Sequence, residues 1–276
     1  MEPRTPGTLG PSASAPSEEP GSSAPNHAAP VLEDDSGWIP GALPALLFEM
    51  LGTLVEPPLF RSHPEVLSHH LAKELDVEVR PFQDWWNETR EERSRQFFDK
   101  ALEGISAYVA RESGTRDVRQ LERAVRRAVA ASTDGPTRFV EGVEDALDTL
   151  RERGYAIAVL ENMDSIEERT IVGLSMPSSV DQLHLSTSTG LLLPEDKAYK
   201  FALRSLWEAR PERSAFVGSG WHGALEGARR SGLKQAFFVR GPRARAGLLS
   251  AEEEERARGS ADATLDSVVE LLERFR

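Results

Sequence analysis

Cysteine is absent from this 276-residue chain. That excludes disulfides, thiolate nucleophiles and Cys-based metal sites, and makes cytoplasm the default compartment. No apolar run approaches the length of a membrane span, so no membrane partner is expected. No charged n-region followed by an apolar h-region opens the chain, so a secretory signal is not expected either. Positive charge is also short: 33 Lys and Arg stand against 45 Asp and Glu, a net charge of −12. Such a balance argues against a general nucleic-acid binder. Part of it sits near the start, where Glu2, Glu18, Glu19, Glu33, Asp34 and Asp35 face Arg4 alone. The remainder is therefore less acidic than the total.

What is present is an ordinary globular composition, 39% apolar, long enough for one sizeable domain or a domain with an insertion. Residues 1–40 are rich in Pro, Ser, Ala and Gly and carry no apolar periodicity. They cannot bury enough apolar surface to offset ordering entropy, and a disordered leader is expected there.

From Ala45 the pattern changes. "ALLFEMLGTLVEP" is an apolar run that ends in a carboxylate, Glu49, and turns through Gly52 and Thr53. A buried strand delivers an acid to the edge of a parallel sheet in this way. Three helical sets follow: Val66, Leu67, His70, Leu71 and Leu75; Phe98, Leu102, Ile105 and Val109; Val118, Leu121, Val125 and Val129. They predict a helical module of about eighty residues. Beyond it, strands and helices alternate. "YAIAVLEN", "VDQLHLS", "SAFVGSG", "KQAFFV" and "ADATL" read as strands. Helices are expected over 142–153, 196–209 and 222–230, with a last one capped by Asp266. The alternation implies a parallel α/β sheet with helices on both faces.

This layout, with these turns, resembles the haloacid dehalogenase superfamily of phosphatases, dehalogenases and phosphomutases, from Ala45 to Phe275. The resemblance implies a HAD-like Rossmannoid core at 41–56 and 139–276, with an inserted helical cap at 57–138. In the family the first strand ends in Asp-x-Asp-Gly-Thr. Here "FEMLGTLV" keeps Gly52 and Thr53 but has Glu49 at the nucleophile position and Leu51 at the acid/base position. "YAIAVLEN" places Glu161 at the usual Ser/Thr position and retains Asn162. "LPEDKAYKFAL" keeps Pro194 but has Leu193 for the Lys. "VGSGWHGALEG" has Ser219 where a metal-binding Asp stands, with Gly223 and Ala224 where a second acid would fall.

By resemblance, then, most groups that attack phosphorus, transfer the proton, hold the phosphoryl oxygens and bind Mg²⁺ are changed. Misplacing a nucleophile by on the order of 1 Å costs about 10²-fold. Losing an acid/base costs roughly 10²–10⁴, and losing one charge-stabilising donor about 10²–10³. The expected role is binding of a small molecule or a protein in the cap–core cleft, through Gly52, Thr53, Glu161, Asn162, Gly218, Ser219 and Gly220. No cofactor is expected unless the site is active, in which case Mg²⁺ would meet Glu49 and Ser219. The alternative is a working hydrolase using Glu49. A rearranged cation site from Glu49, Glu161 and Asp164, with Lys197 or Lys200 replacing the lost Lys, is a further variant.

A reading from another class rests on Gly218-x-Gly220-x-x-Gly223 between a strand and a helix, a dinucleotide fingerprint, with Arg240, Arg243 and Arg245 suited to a 2′-phosphate. Little sheet remains downstream for such a domain. His69 and His70, adjacent on a helix, face different directions and make a poor metal pair. His222 at a helix start reads as an exposed loop residue. Trp85, Trp86, Phe97 and Phe98 read as packing within the helical module or against the core. The charged runs "RDVRQLERAVRRA" and "EEEERAR" read as solvated surface.

Overall fold

The computed structural model describes residues 43–56, 64–114, 117–131, 137–171, 173–241 and 249–275. The leader expected at 1–40, together with Arg243 and Arg245, lies outside the described residues.

Six strands form one sheet: β1 Ala45–Glu49, β2 Ala156–Glu161, β3 Gln182–Leu185, β4 Ala215–Gly218, β5 Gln235–Val239 and β6 Ala263–Leu265. Every pairing is parallel, in the order β3-β2-β1-β4-β5-β6. β1 and β2 are buried at every position. Their apolar runs show no polar alternation because helices cover both faces. Alternate residues feed two cores. Ala45, Leu47, Ala158 and Phe216 pack with the helices α8 (Asp196–Ser205) and α9 (Ala224–Arg230). Leu46, Phe48, Ile157 and Val159 pack with α6 (Val143–Glu152) and α11 (Leu271–Arg274).

Among the described residues between 64 and 131 stand five helices: α1 Pro64–Glu74, α2 Val79–Glu88, α3 Arg90–Ser94, α4 Phe98–Ser113 and α5 Val118–Ala131. The three apolar sets read from the sequence account for α1, α4 and α5. These helices share a third apolar cluster that includes Leu71, Phe82, Trp86, Ile105 and Val125, and it takes in Ile166 from the loop after β2. Trp86 is buried and Trp85 half-buried, with Phe82 and Tyr108 against them. Phe97 departs from the packing expectation. It stands at the cap of α4, 65% exposed, because the helix turns its neighbour Phe98 inward instead.

Two further α-helices are α7 (Ser186–Thr189) and α10 (Ala251–Ser260). α10 is the "EEEERAR" surface helix, opened by a capping box between Ser250 and Glu253. The last helical turn is capped by Ser267, in a box with Glu270, rather than by Asp266. Both residue types cap well, and the box needs an acid three positions after the cap, which only Ser267 has.

Candidate functional site

Strand order reverses between β1 and β4, and ligands of such sheets bind at the carboxyl ends of the strands flanking that switch. Glu49 is the last residue of β1 and Ser219 follows β4 directly. The structure brings the two together. Glu49 Oε2 accepts hydrogen bonds from Ser219 N–H and Ser219 Oγ–H, each 2.6 Å long. Both residues are buried. Gly218 lacks a side chain for a local reason: a Cβ there would lie 2.7 Å from the Phe216 ring and 3.1 Å from Glu49 Oε2.

The turn after β1 is tight. Met50 C=O accepts from the N–H groups of Thr53, Leu54 and Val55, and Gly52, at φ 82°, donates to Val55 C=O. Only glycine takes that backbone conformation without strain. Met50 N–H and Leu51 N–H both donate to Glu161 Oε2, at 3.2 and 2.7 Å. Leu51 itself points into the apolar cluster beneath the sheet and is fully buried. Asn162 brackets Leu193, donating Nδ2 to its C=O and accepting its N–H at Oδ1, both at 2.7 Å. The Leu193 side chain joins the other core.

Asp164 does not join Glu49. It is fully buried against Arg93 of α3, Nε to Oδ2 2.6 Å. Neither lysine reaches inward: Lys197 is exposed, and Lys200 pairs with Asp196 on the surface. In the Gly-rich turn after β4, Ser219 N–H already serves Glu49, and Arg240 pairs with Glu254. His222 is exposed and stacked on Trp221.

Sequence reasoning missed α3. Arg93 crosses to Asp164, Arg90 to Glu167 at 3.5 Å, and Arg95 to Glu195 and to the C=O of Gly190. Arg90 also lies 5.7 Å over the Trp221 ring. Thus a five-residue helix of the insert is fastened along the carboxyl edge of the sheet. The one signal for it is the density of arginines in "ETREERSR" after two tryptophans: Arg90, Arg93 and Arg95.

The model of the family described as haloacid dehalogenase-like hydrolase matches residues 43–232. The chain belongs to the haloacid dehalogenase-like hydrolase family. Its sequence is 32% identical over 107 residues to the human haloacid dehalogenase-like hydrolase domain-containing protein 3, covering 39% of this chain and 42% of that one. It is 27% identical over 105 residues to the glyceraldehyde 3-phosphate phosphatase of Pyrococcus furiosus, 38% of this chain and 43% of that one. The match thus spans less than half of these relatives. In fold, the chain is similar to a 2-haloacid dehalogenase from Pseudomonas syringae, with TM-score 0.59, 14% identity, and 84% and 97% of the two chains covered. A HAD phosphatase from Thermococcus onnurineus gives TM-score 0.54 at 14% identity, with the same coverage of 84% and 97%.

Phosphatases of the haloacid dehalogenase-like family use Mg²⁺, and the donors here fit it poorly. Mg²⁺ favours carboxylates in octahedral array. Among the described residues no group of three or more His, Asp or Glu side chains is placed to hold a metal ion. Ser219 offers a neutral oxygen, and the Glu49 oxygen facing it is already bonded to it. Among the described residues no helix is long and apolar enough to cross a membrane.

Proposed function

We propose that this chain is a catalytically silent member of its family, which acts by binding a ligand or protein partner where the helical insert, serving as a cap, meets the carboxyl edge of the sheet. The observation that carries the reading is the Glu49–Ser219 contact. The carboxylate at the nucleophile position is tied by two 2.6 Å hydrogen bonds to the residue at the metal-ligand position. The contact fixes the side chain through Oε2 and leaves only Oε1 to attack, where a nucleophile needs a well-aimed oxygen near its target. The acid/base position holds Leu51 and the lysine position Leu193, both buried in apolar clusters. Neither can move a proton or clamp a charge.

The arginine contacts along the rim, Arg93 to Asp164, Arg90 to Glu167 and Arg95 to Glu195, support a partner that meets the insert and the sheet edge together.

A second reading, a hydrolase using Glu49, is favoured by the names of the relatives and by the place of Glu49 at the sheet's switch point. One experiment separates the two: hydrolysis of a reactive acyl phosphate with Mg²⁺, comparing the wild type with Glu49→Ala. Equal background rates are expected. Metal-dependent turnover abolished by the substitution would establish the hydrolase.

A further inference from the structure

Helix α5 concentrates positive charge in a chain whose net charge is −12. It carries Arg119, Arg123, Arg126 and Arg127 against Glu122 alone, and all four arginines are exposed. The first three recur at one helical turn and so form a stripe. Leu121, Val125 and Ala128, on the opposite side, are buried in the apolar cluster of the insert. Helix stability does not account for the stripe. Arg119 lies in the first turn, where the helix dipole favours acids, and that turn has none. Arg123 has a like charge four residues before it and others three and four residues after, a spacing that destabilises a helix. Elsewhere the chain sets acids beside its arginines, as in Arg138–Glu56, Arg151–Asp181, Arg229–Asp262 and Arg256–Glu252. On α5, Arg126 pairs with Glu122 and Arg127 with Glu74, at the margins of the stripe. Arg119 and Arg123 have no ion-pair partner among the described residues.

We propose that this face of α5 is a docking surface for an acidic segment of a partner protein, whose Asp and Glu side chains supply the acceptors that Arg119 and Arg123 lack. A planar guanidinium takes a carboxylate through two parallel hydrogen bonds. Two arginines one turn apart therefore suit two carboxylates about 6 Å apart. From Arg119 to Arg127 the stripe runs about 12 Å along the helix axis, the length of a few carboxylates. A nucleic acid fits it poorly, because its continuous phosphates would run on over the acidic remainder of the molecule. The stripe belongs to α5 alone, so the inference stands apart from the reading of the sheet edge.

The test follows the fluorescence anisotropy of a labelled oligo-glutamate peptide titrated with the full chain, at low and at physiological salt. Three proteins are compared: the wild type, Arg119→Glu with Arg123→Glu, and Arg210→Glu with Arg213→Glu. The last makes the same change of charge at two exposed arginines elsewhere. The wild type and this control are expected to bind alike, and less tightly as salt screens the contact. The α5 variant is expected to bind at least about tenfold more weakly. Its thermal midpoint is expected to equal or exceed that of the wild type, because the reversal separates like charges and puts an acid in the first turn. Loss of binding without loss of stability is the mark of a surface kept for a partner. No binding by the wild type, equal binding by the α5 variant, or an equal loss in the control would overturn the proposal. A lowered midpoint would assign the arginines to the helix itself, and tighter binding of a single-stranded oligonucleotide of matching charge would assign the face to nucleic acid; either would overturn it as well.

Discussion

Arg93 and Asp164 form a buried ion pair that ties the helical insert to the loop after β2. Nε donates to Oδ2 at 2.6 Å, and the two side chains are 4% and 0% exposed. Each charge is further satisfied. Arg93 Nη1 donates to Thr89 Oγ, Nη2 donates to Trp86 C=O, and the guanidinium lies 3.6 Å over the Trp86 ring. Asp164 Oδ1 accepts Ile166 N–H. Burial pushes the Asp164 carboxyl up and the Arg93 guanidinium down, and their mutual attraction opposes both shifts.

Removing one partner leaves the other charge buried and unpaired, which costs about 3–5 kcal/mol. Asp164→Ala is therefore expected to lower stability by that amount in urea unfolding. The double change Arg93→Met with Asp164→Leu is expected to recover most of the loss, since an apolar pair carries no desolvation cost. A single-variant cost below about 1 kcal/mol, the range of an exposed pair, would show that the contact does not hold the insert.

His184 is expected to give the chain a pH dependence whose sign follows from its burial. It sits half-buried on β3, Nε2 2.7 Å from Ser205 Oγ, with the Phe201 ring at its edge. Burial lowers its pKa below the ordinary 6.5. A depressed folded-state pKa means that the unfolded chain takes up the proton first. The stability is full above 6.5 and is lost as pH falls through the folded-state value. His184→Gln is expected to flatten that acid-side decline in stability measured at a series of pH values. An unchanged slope would assign it to other groups.

The centre of the sheet is legible in the sequence because β1, β2, β4 and β5 are apolar runs bounded by turn residues, and such runs report their burial directly, whereas β3 and β6 at the edges are short and half-exposed. All six strands follow the order of the sequence pattern. The insert is half legible: α1, α4 and α5 carry apolar stripes, whereas α3 is five residues of charge and serine with no stripe at all. The site divides the same way. Glu49 and Ser219 are marked by local turns, and the structure joins them. Asp164 reads in sequence as a neighbour of Glu49 around a cation, but its partner lies 71 residues away in a helix without a pattern. Long-range polar pairing leaves no periodic trace in a single sequence. The same holds for Glu161, whose role depends on two N–H groups of the turn after another strand.

Two glycines on helices separate packing from backbone entropy. A Cβ on Gly227 of α9 would come within 2.6 Å of Pro194 Cβ, 2.7 Å of Pro194 C=O and 2.8 Å of Tyr199 Oη. Tyr199 is itself buried and donates to Ala224 C=O, so it has little freedom to withdraw. Gly227→Ala is expected to cost about 1–3 kcal/mol, as overpacking does. Gly104 lies within α4, and a Cβ added there would meet nothing within 4 Å. At that position Ala should stabilise by roughly 0.5–1 kcal/mol. Denaturant midpoints of both variants check the contrast, and equal signs would contradict the packing of α9 on Pro194.

Ser219→Asp tests what separates this site from a metal site. The substitution puts a second carboxylate against Glu49 Oε2, in a place where Ser219 is fully buried and its Oγ lies 2.6 Å from that oxygen. Two carboxylates sharing a buried site repel, and one must take a proton or the fold must yield. Without a divalent cation the variant is expected to unfold at a lower temperature than the wild type. Mg²⁺ binds between carboxylates, so it should return the variant toward the wild-type midpoint in a concentration-dependent way. The wild type should show no such response, because its Glu49 oxygen is satisfied by a neutral hydroxyl and an N–H. Equal stabilisation of both proteins by Mg²⁺ would mean that the present donors already hold the ion, and the silent reading would give way to the hydrolase.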